Sequence, residues 1–174
     1  SGSQKSGSQN PGPQNPALRM PKVEFKDMEF VYAGAKEPAL KDISVCAMAG
    51  QTIGVIGGTG SGKSTLVNLI PRFYDAASGQ VLVDGTDVKE YSLDELRDNT
   101  GVVPQKSVLF KGTLRDNMRW GKQDASDEEI YRALDTAQAR EFVDSKGTGL
   151  DLSIDQGGHN LSGGQRQRLT IARA

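Results

Sequence analysis

A single cysteine, Cys46, stands among the 174 residues, so no disulfide can close within the chain. Its stability has to come from packing and hydrogen bonds, and a reducing compartment suits it. No window approaches the roughly 18 consecutive apolar residues of a membrane-spanning helix. Nor does the start carry a charged, then apolar, then small-residue signal. Charge of one sign is also missing: 21 Lys and Arg against 22 Asp and Glu give a formal net charge of -1. That balance provides no general pull toward nucleic acid. Aromatic residues make up 6% of the chain and histidine occurs once, at His159. The remainder, 36% hydrophobic and 25% charged, describes a soluble globular protein with length for one domain and a real core.

Residues 1–16 contain only Ser, Gly, Gln, Asn and Pro apart from Lys5. They cannot bury enough apolar surface to offset their ordering entropy, so residues 1–21 read as a disordered linker or tail. From Lys22 onward the pattern is that of a fold. In "VEFKDMEFVY" the apolar residues alternate, but the phase slips at Lys26–Asp27, which predicts a bulge or two short strands. "KDISVCAMAG" and "GQVLVDG" read as further strands, and "QTIGVIG" and "TGVVPQ" as buried strands of a parallel sheet. Leu66, Leu69, Ile70 and Phe73 recur at helical spacing until Pro71 kinks or ends the helix. "YSLDELRD" reads as a short helix. Ser126 and Glu129 form a capping box for a helix to Gln138, with Ile130, Ala133, Leu134 and Ala137 as its apolar stripe. Strands alternating with helices predict an α/β domain with a mainly parallel sheet and a separate antiparallel β-subdomain at the start.

"GGTGSGKST" runs from Gly57 to Thr65 (Gly57, Gly58, Thr59, Gly60, Ser61, Gly62, Lys63, Ser64, Thr65) and fits G-x-x-x-x-G-K-[ST] between an apolar strand and a helix. Glycines there let backbone amides wrap phosphates without a Cβ in the way. Lys63 would place its charge by the β- and γ-phosphates, and Ser64 would offer a hydroxyl to Mg²⁺. This pattern alone specifies a P-loop nucleotide-binding protein and no more.

A second candidate anion grip lies near the other end. In "NLSGGQRQRLTIARA", Ser162, Gly163 and Gly164 open a helix whose first amides have no partners within the helix. "LSGGQ", Leu161 to Gln165, together with the cradle, resembles the ATP-binding-cassette (ABC) family. "FYDAASGQVLVDG", "GVVPQKSVLFKGTLRDN" and "LSGGQRQRLTIARA" are most similar to its exporter-type members, and the resemblance covers 22–174.

The resemblance implies the following. Tyr32 matches the aromatic residue that stacks on adenine. Gln105, after "GVV", matches a glutamine that contacts Mg²⁺ and the region of the attacking water, so Lys63 and Gln105 are the catalytic candidates and Ser64 and Gln105 the metal ligands. A helical subdomain is expected at about 106–165, and Ser107–Asn117 is expected to face the transmembrane domains. Ser162, Gly163, Gly164 and Gln165 would grip the ATP seated on a second cassette, arranged head to tail. The whole would work at the cytoplasmic face of a membrane as part of a transporter.

Cassettes of this family continue past the signature helix into an apolar strand ending in Asp, then a Glu, and later a switch histidine. None of these is present through Ala174, and His159 precedes the signature and reads as a loop residue. The sequence is therefore expected to be a piece of a larger cassette that leaves Val55, Ile56, Val102 and Val103 partly uncovered. Such a piece should bind ATP weakly and hydrolyse it negligibly. A soluble cassette of DNA repair or translation, and a non-hydrolysing regulatory half, share the same two motifs. Arg166, Arg168 and Arg173 read as a solvated helix face, with no nucleic-acid role expected.

Overall fold

The computed structural model describes residues 20–174, so the polar stretch 1–16, and the expected tail apart from Met20 and Pro21, lies outside the described residues. Two compact units make up the chain, one ending at Thr100 and the other spanning Gly101–Ala174.

The first unit is built on β1 (Pro21–Phe30), β2 (Leu40–Met48), β3 (Ser78–Val83) and β4 (Thr86–Asp87), hydrogen-bonded in the order β2-β1-β3-β4 with every neighbour antiparallel. The slip in the β1 pattern is a bulge: the register shifts between Phe25 and Met28 against β2, and between Lys26 and Glu29 against β3. Asp27 takes φ 44 there, and its amide donates to Ser44 Oγ at 3.0 Å while its carboxylate accepts from the same hydroxyl at 2.8 Å. The extra residue inverts the alternation, so Phe25 on one phase and Met28 and Phe30 on the other all reach the core. Gly79 faces this bulge with φ 71, and a Cβ on it would lie 2.4 Å from the Asp27 carbonyl oxygen. Helices α1 (Lys63–Asn68) and α2 (Leu93–Asp98) complete the unit; Leu69, just past α1, and Leu96 join Met28 and Val81 in its buried core. Phe73 departs from its expected place on the apolar stripe. The helix stops at Asn68, Arg72 turns with φ 53, and the Phe73 ring lies beneath the Arg97 guanidinium, whose carbon is 5.3 Å from the ring centroid.

The second unit holds α3 (Leu114–Arg119), α4 (Asp127–Thr136), α5 (Arg140–Ser145) and α6 (Gly163–Arg173), with a small antiparallel pair of strands, β5 (Gly112–Thr113) and β6 (Ser153–Ile154). Leu109, Leu114, Ile130, Leu134, Val143 and Leu169 form its centre. The expected capping box is present: Ser126 Oγ accepts from the Glu129 amide and Glu129 accepts from the Ser126 amide.

One expectation needs correcting. The α/β class and the antiparallel subdomain stand, but no parallel strand pair occurs among the described residues. "QTIGVIG" and "TGVVPQ" are irregular, and Val55, Ile56, Val102 and Val103 are exposed, Ile56 by 96%. A buried parallel strand exists only with neighbours to bond and layers to cover both faces. Apolar composition alone makes such a run eligible without making it a strand. Ile53, Val55 and Ile56 instead line an open aliphatic groove of about 500 Å³, with Val45 on β2 and Val67 on α1.

Candidate functional site

The glycine-rich segment forms a closed loop around its own lysine. Lys63 Nζ donates to the carbonyl oxygens of Gly57 (2.9 Å) and Gly58 (2.6 Å) and to Ser61 Oγ (3.2 Å). Among the described residues no carboxylate pairs with it. Gly60 and Gly62 adopt φ 81 and 84, in the left-handed region that glycine alone enters cheaply. Space matters as well: a Cβ on Gly57 would meet Ser61 Oγ at 2.6 Å, and one on Gly62 would meet Leu40 Cδ2 at 2.6 Å. The result is a cavity of about 270 Å³ lined by Tyr32, Ala39 and the run from Gly60 to Thr65. A lysine held only by neutral oxygens, beside turned-out loop backbone, suits a polyanion, which would displace those carbonyls as partners.

Tyr32 follows β1 and is half-exposed in this cavity, its hydroxyl sharing a 2.6 Å hydrogen bond with Thr65 Oγ1. Ser64 lines the same cavity and is exposed.

Gln105 belongs to the second unit. With Lys106, Ser107, Val108, Gly157, His159, Gly163 and Arg166 it lines a more polar cavity of about 560 Å³. Arg166 is committed to protein partners there, its guanidinium donating to the carbonyls of Leu161 (2.6 Å) and Gly158 (3.3 Å). Ser107 Oγ donates to Gln167 on α6, tying the segment after Gln105 to the helix that Ser162 caps.

Gly163 and Gly164 stand out by what does not explain them. Both lie in the first turn of α6, neither has a positive φ, and both are exposed. A Cβ on Gly164 would meet nothing within 4 Å, and one on Gly163 only a guanidinium nitrogen of Arg166 at 3.9 Å. Glycine costs a helix up to about 1 kcal/mol relative to alanine, the full amount applying to interior positions. Local conformation and packing give no reason for that cost at either site.

Ser107–Asn117 wraps the edge of the second unit with Val108 and Phe110 exposed and Leu109 and Leu114 buried. Asn117, itself 1% exposed, fixes this segment: it accepts from the Phe110 amide at 2.8 Å and donates to the carbonyls of Phe110 (2.9 Å) and Thr113 (3.0 Å). The Thr113 hydroxyl and then its amide hold the Asp116 carboxyl below its ordinary pKa, completing the capping box of α3. Sequence reasoning missed Asn117; a lone amide between Leu114 and Met118 on an otherwise apolar helix face was the available signal.

The family model described as ABC transporter matches residues 40–174. The chain belongs to the ABC transporter family. Among curated relatives of this ABC chain, an ABC transporter ATP-binding protein of Mycobacterium tuberculosis is 52% identical over 148 residues, covering 83% of this chain and 25% of its own length. A putative multidrug export ATP-binding/permease protein of Bacillus subtilis is 46% identical, covering 86% and 26%. The ATP-dependent lipid A-core flippase of Haemophilus influenzae is 46% identical with the same coverage, 86% and 26%. A solved bacterial Atm1-family ABC exporter with ATP bound superposes with a TM-score of 0.82 at 36% identity, covering 90% of this chain and 27% of that one. The ABC chain thus spans about a quarter of the length of the curated relatives it matches. No helix among its described residues is long and apolar enough to cross a membrane.

Proposed function

We propose that this chain is the nucleotide-gripping part of an ABC exporter's ATPase domain, coupling ATP binding and hydrolysis at a head-to-tail pair of cassettes to substrate export. Lys63 leaves the loop carbonyls for the β- and γ-phosphates, the loop amides from Gly57 to Thr65 surround the triphosphate, and Tyr32 offers its ring to the adenine. Ser64, by its hydroxyl, and Gln105, by its carboxamide oxygen, each offer a hard oxygen donor of the kind Mg²⁺ takes. A bound Mg²⁺ would neutralise charge on the β- and γ-oxygens. Ser162, Gly163, Gly164 and Gln165 close over the nucleotide of a second cassette, identical or not. Ser107–Asn117 meets the transmembrane domains, with Val108 and Phe110 as the apolar contacts.

One observation carries this reading: a phosphate-shaped loop around an unpaired lysine, in the same chain as a helix start whose two glycines have no internal purpose. Bare amides at that start suit the close approach of an anion from another molecule. A ligand touching two protomers stabilises their pairing, so hydrolysis loosens what binding assembled.

None of the residues lining the cradle cavity is a carboxylate. This chain should bind Mg-ATP weakly, lose that binding in Lys63→Met, and, with no carboxylate there to activate water, release no phosphate above background. Metal-dependent turnover at the rate of an intact cassette would overturn the reading that this chain grips the nucleotide without activating water. In a complete cassette carrying this segment, Cys placed at Ser162 should crosslink under Mg-ATP to the partner cassette's cradle. Crosslinking to its own cradle would sink the head-to-tail arrangement.

A further inference from the structure

Phe30, Tyr32 and Tyr74 form a triangle of rings beside the cradle cavity. Centroids lie 4.7 Å apart for Phe30–Tyr32 at 86°, 5.7 Å for Tyr32–Tyr74 at 81°, and 5.3 Å for Phe30–Tyr74 at 47°. Phe30 is buried at 4% exposure and anchors the group, whereas Tyr32 and Tyr74 are exposed by 41% and 40%. Tyr32 lines the cavity; Tyr74 does not.

A tyrosine just past the end of a strand has several rotamers open to it. Tyr32 is held at both ends of its side chain. Its hydroxyl is tethered to Thr65 Oγ1, and its ring meets Phe30 and Tyr74 nearly at right angles, the arrangement that aromatic quadrupoles favour. Phe30 cannot move without disturbing the core. Tyr74 sits in the irregular stretch after α1 and belongs to neither core nor cavity.

We propose that Tyr74 is a positioning residue for base recognition: it holds the Tyr32 ring so that a face remains presented to a purine, while touching no part of the nucleotide itself. The inference rests on the reading that Tyr32 meets the base. Fixing a side chain in its binding orientation raises affinity by removing an ordering cost from the binding step. Because Tyr74 does not line the cradle cavity, its influence should be confined to the base.

The test is calorimetric titration of this chain, in Mg²⁺, with ATP and separately with inorganic tripolyphosphate, which reads the cradle alone. Tyr74→Leu should weaken ATP binding about 2- to 10-fold, the scale of one aromatic edge contact, and leave tripolyphosphate binding unchanged. Tyr74→Phe, which keeps the ring, should restore the wild-type value for ATP. Unchanged ATP affinity in Tyr74→Leu overturns the inference. So does an equal loss for both ligands, which would make Tyr74 a support of the loop or the fold. Tyr32→Leu separates the two levels of argument. If it weakens ATP while Tyr74→Leu does not, only the positioning role is lost; if it leaves ATP untouched, the base reading of Tyr32 falls and this inference with it.

Discussion

Across the first turn of α6, Ser162 Oγ accepts the amide of Gln165 at 3.2 Å while the Gln165 carboxamide oxygen accepts the amide of Ser162 at 2.9 Å. The reciprocal cap settles the ends of the turn and leaves Gly163 and Gly164 between them with nothing to do inside the chain. Gly164→Ala should therefore stabilise this chain, by up to about 1 kcal/mol on helix propensity, since the added methyl meets open space. Urea melts read that gain. On the proposed function, the same change in a complete cassette carrying this segment should lower nucleotide-driven ATPase activity at least several-fold. A gain in stability without loss of activity would remove the argument for an external anion.

At the cradle, two neighbouring residues should fail in different ways. Lys63 touches only its own loop, so Lys63→Met should abolish detectable Mg-ATP binding with little change in the melting temperature. Gly62→Ala forces a left-handed backbone onto a residue with a Cβ, about 1–2 kcal/mol, and drives that Cβ to 2.6 Å from Leu40 Cδ2. It should cost stability and binding together. Parallel thermal melts and ATP titrations distinguish the two.

The local parts of this molecule were legible in its sequence because their causes are local. The phase slip at Lys26–Asp27 became the Asp27 bulge, and Ser126 with Glu129 became the cap of α4. The glycine spacing of the cradle shows in its positive φ values. Longer-range features were illegible. Tyr32 meets Thr65 and Tyr74 through contacts between segments far apart in the chain, and no spacing rule reports them. The apolar runs around Val55 and Val102 have strand composition but no partner strand among the described residues, and composition cannot say whether a partner is present.

Asn117 offers a sharper test of the second unit. Asn117→Ala removes all three hydrogen bonds to the Phe110 and Thr113 backbone and leaves part-buried polar groups short of partners. Each such group costs about 1–3 kcal/mol, so the total loss should be at least about 2 kcal/mol in urea unfolding. The Phe110 amide should also lose its protection from hydrogen exchange. Retained protection there would show that the segment is held by something else.

Acid should weaken the start of α4 within a defined window. The Lys122 ammonium, and then the Ser126 amide and hydroxyl, hold the Glu129 carboxyl at about 2, against an ordinary 4.5. Its folded pKa is depressed, so the unfolded chain takes up the proton first as pH falls. The stabilisation is complete above about 4.5 and is lost as pH drops toward about 2. Glu129→Gln keeps a capping oxygen but has no proton to gain. A circular-dichroism acid titration should show a flatter decline for that variant across the window. Because the pair is exposed, 1 M salt should shrink the difference.

The aliphatic groove flanked by Val45 and Val67 has a consequence for the chain's life in a cell. Ile56 stands almost wholly in water beside Ile53 and Val55, so the folded chain displays a surface of the kind that usually signals an unfolded one. Chaperones and proteases sort their clients by such surfaces. How long the free polypeptide survives would then depend less on its cooperative melting than on how quickly these side chains are shielded.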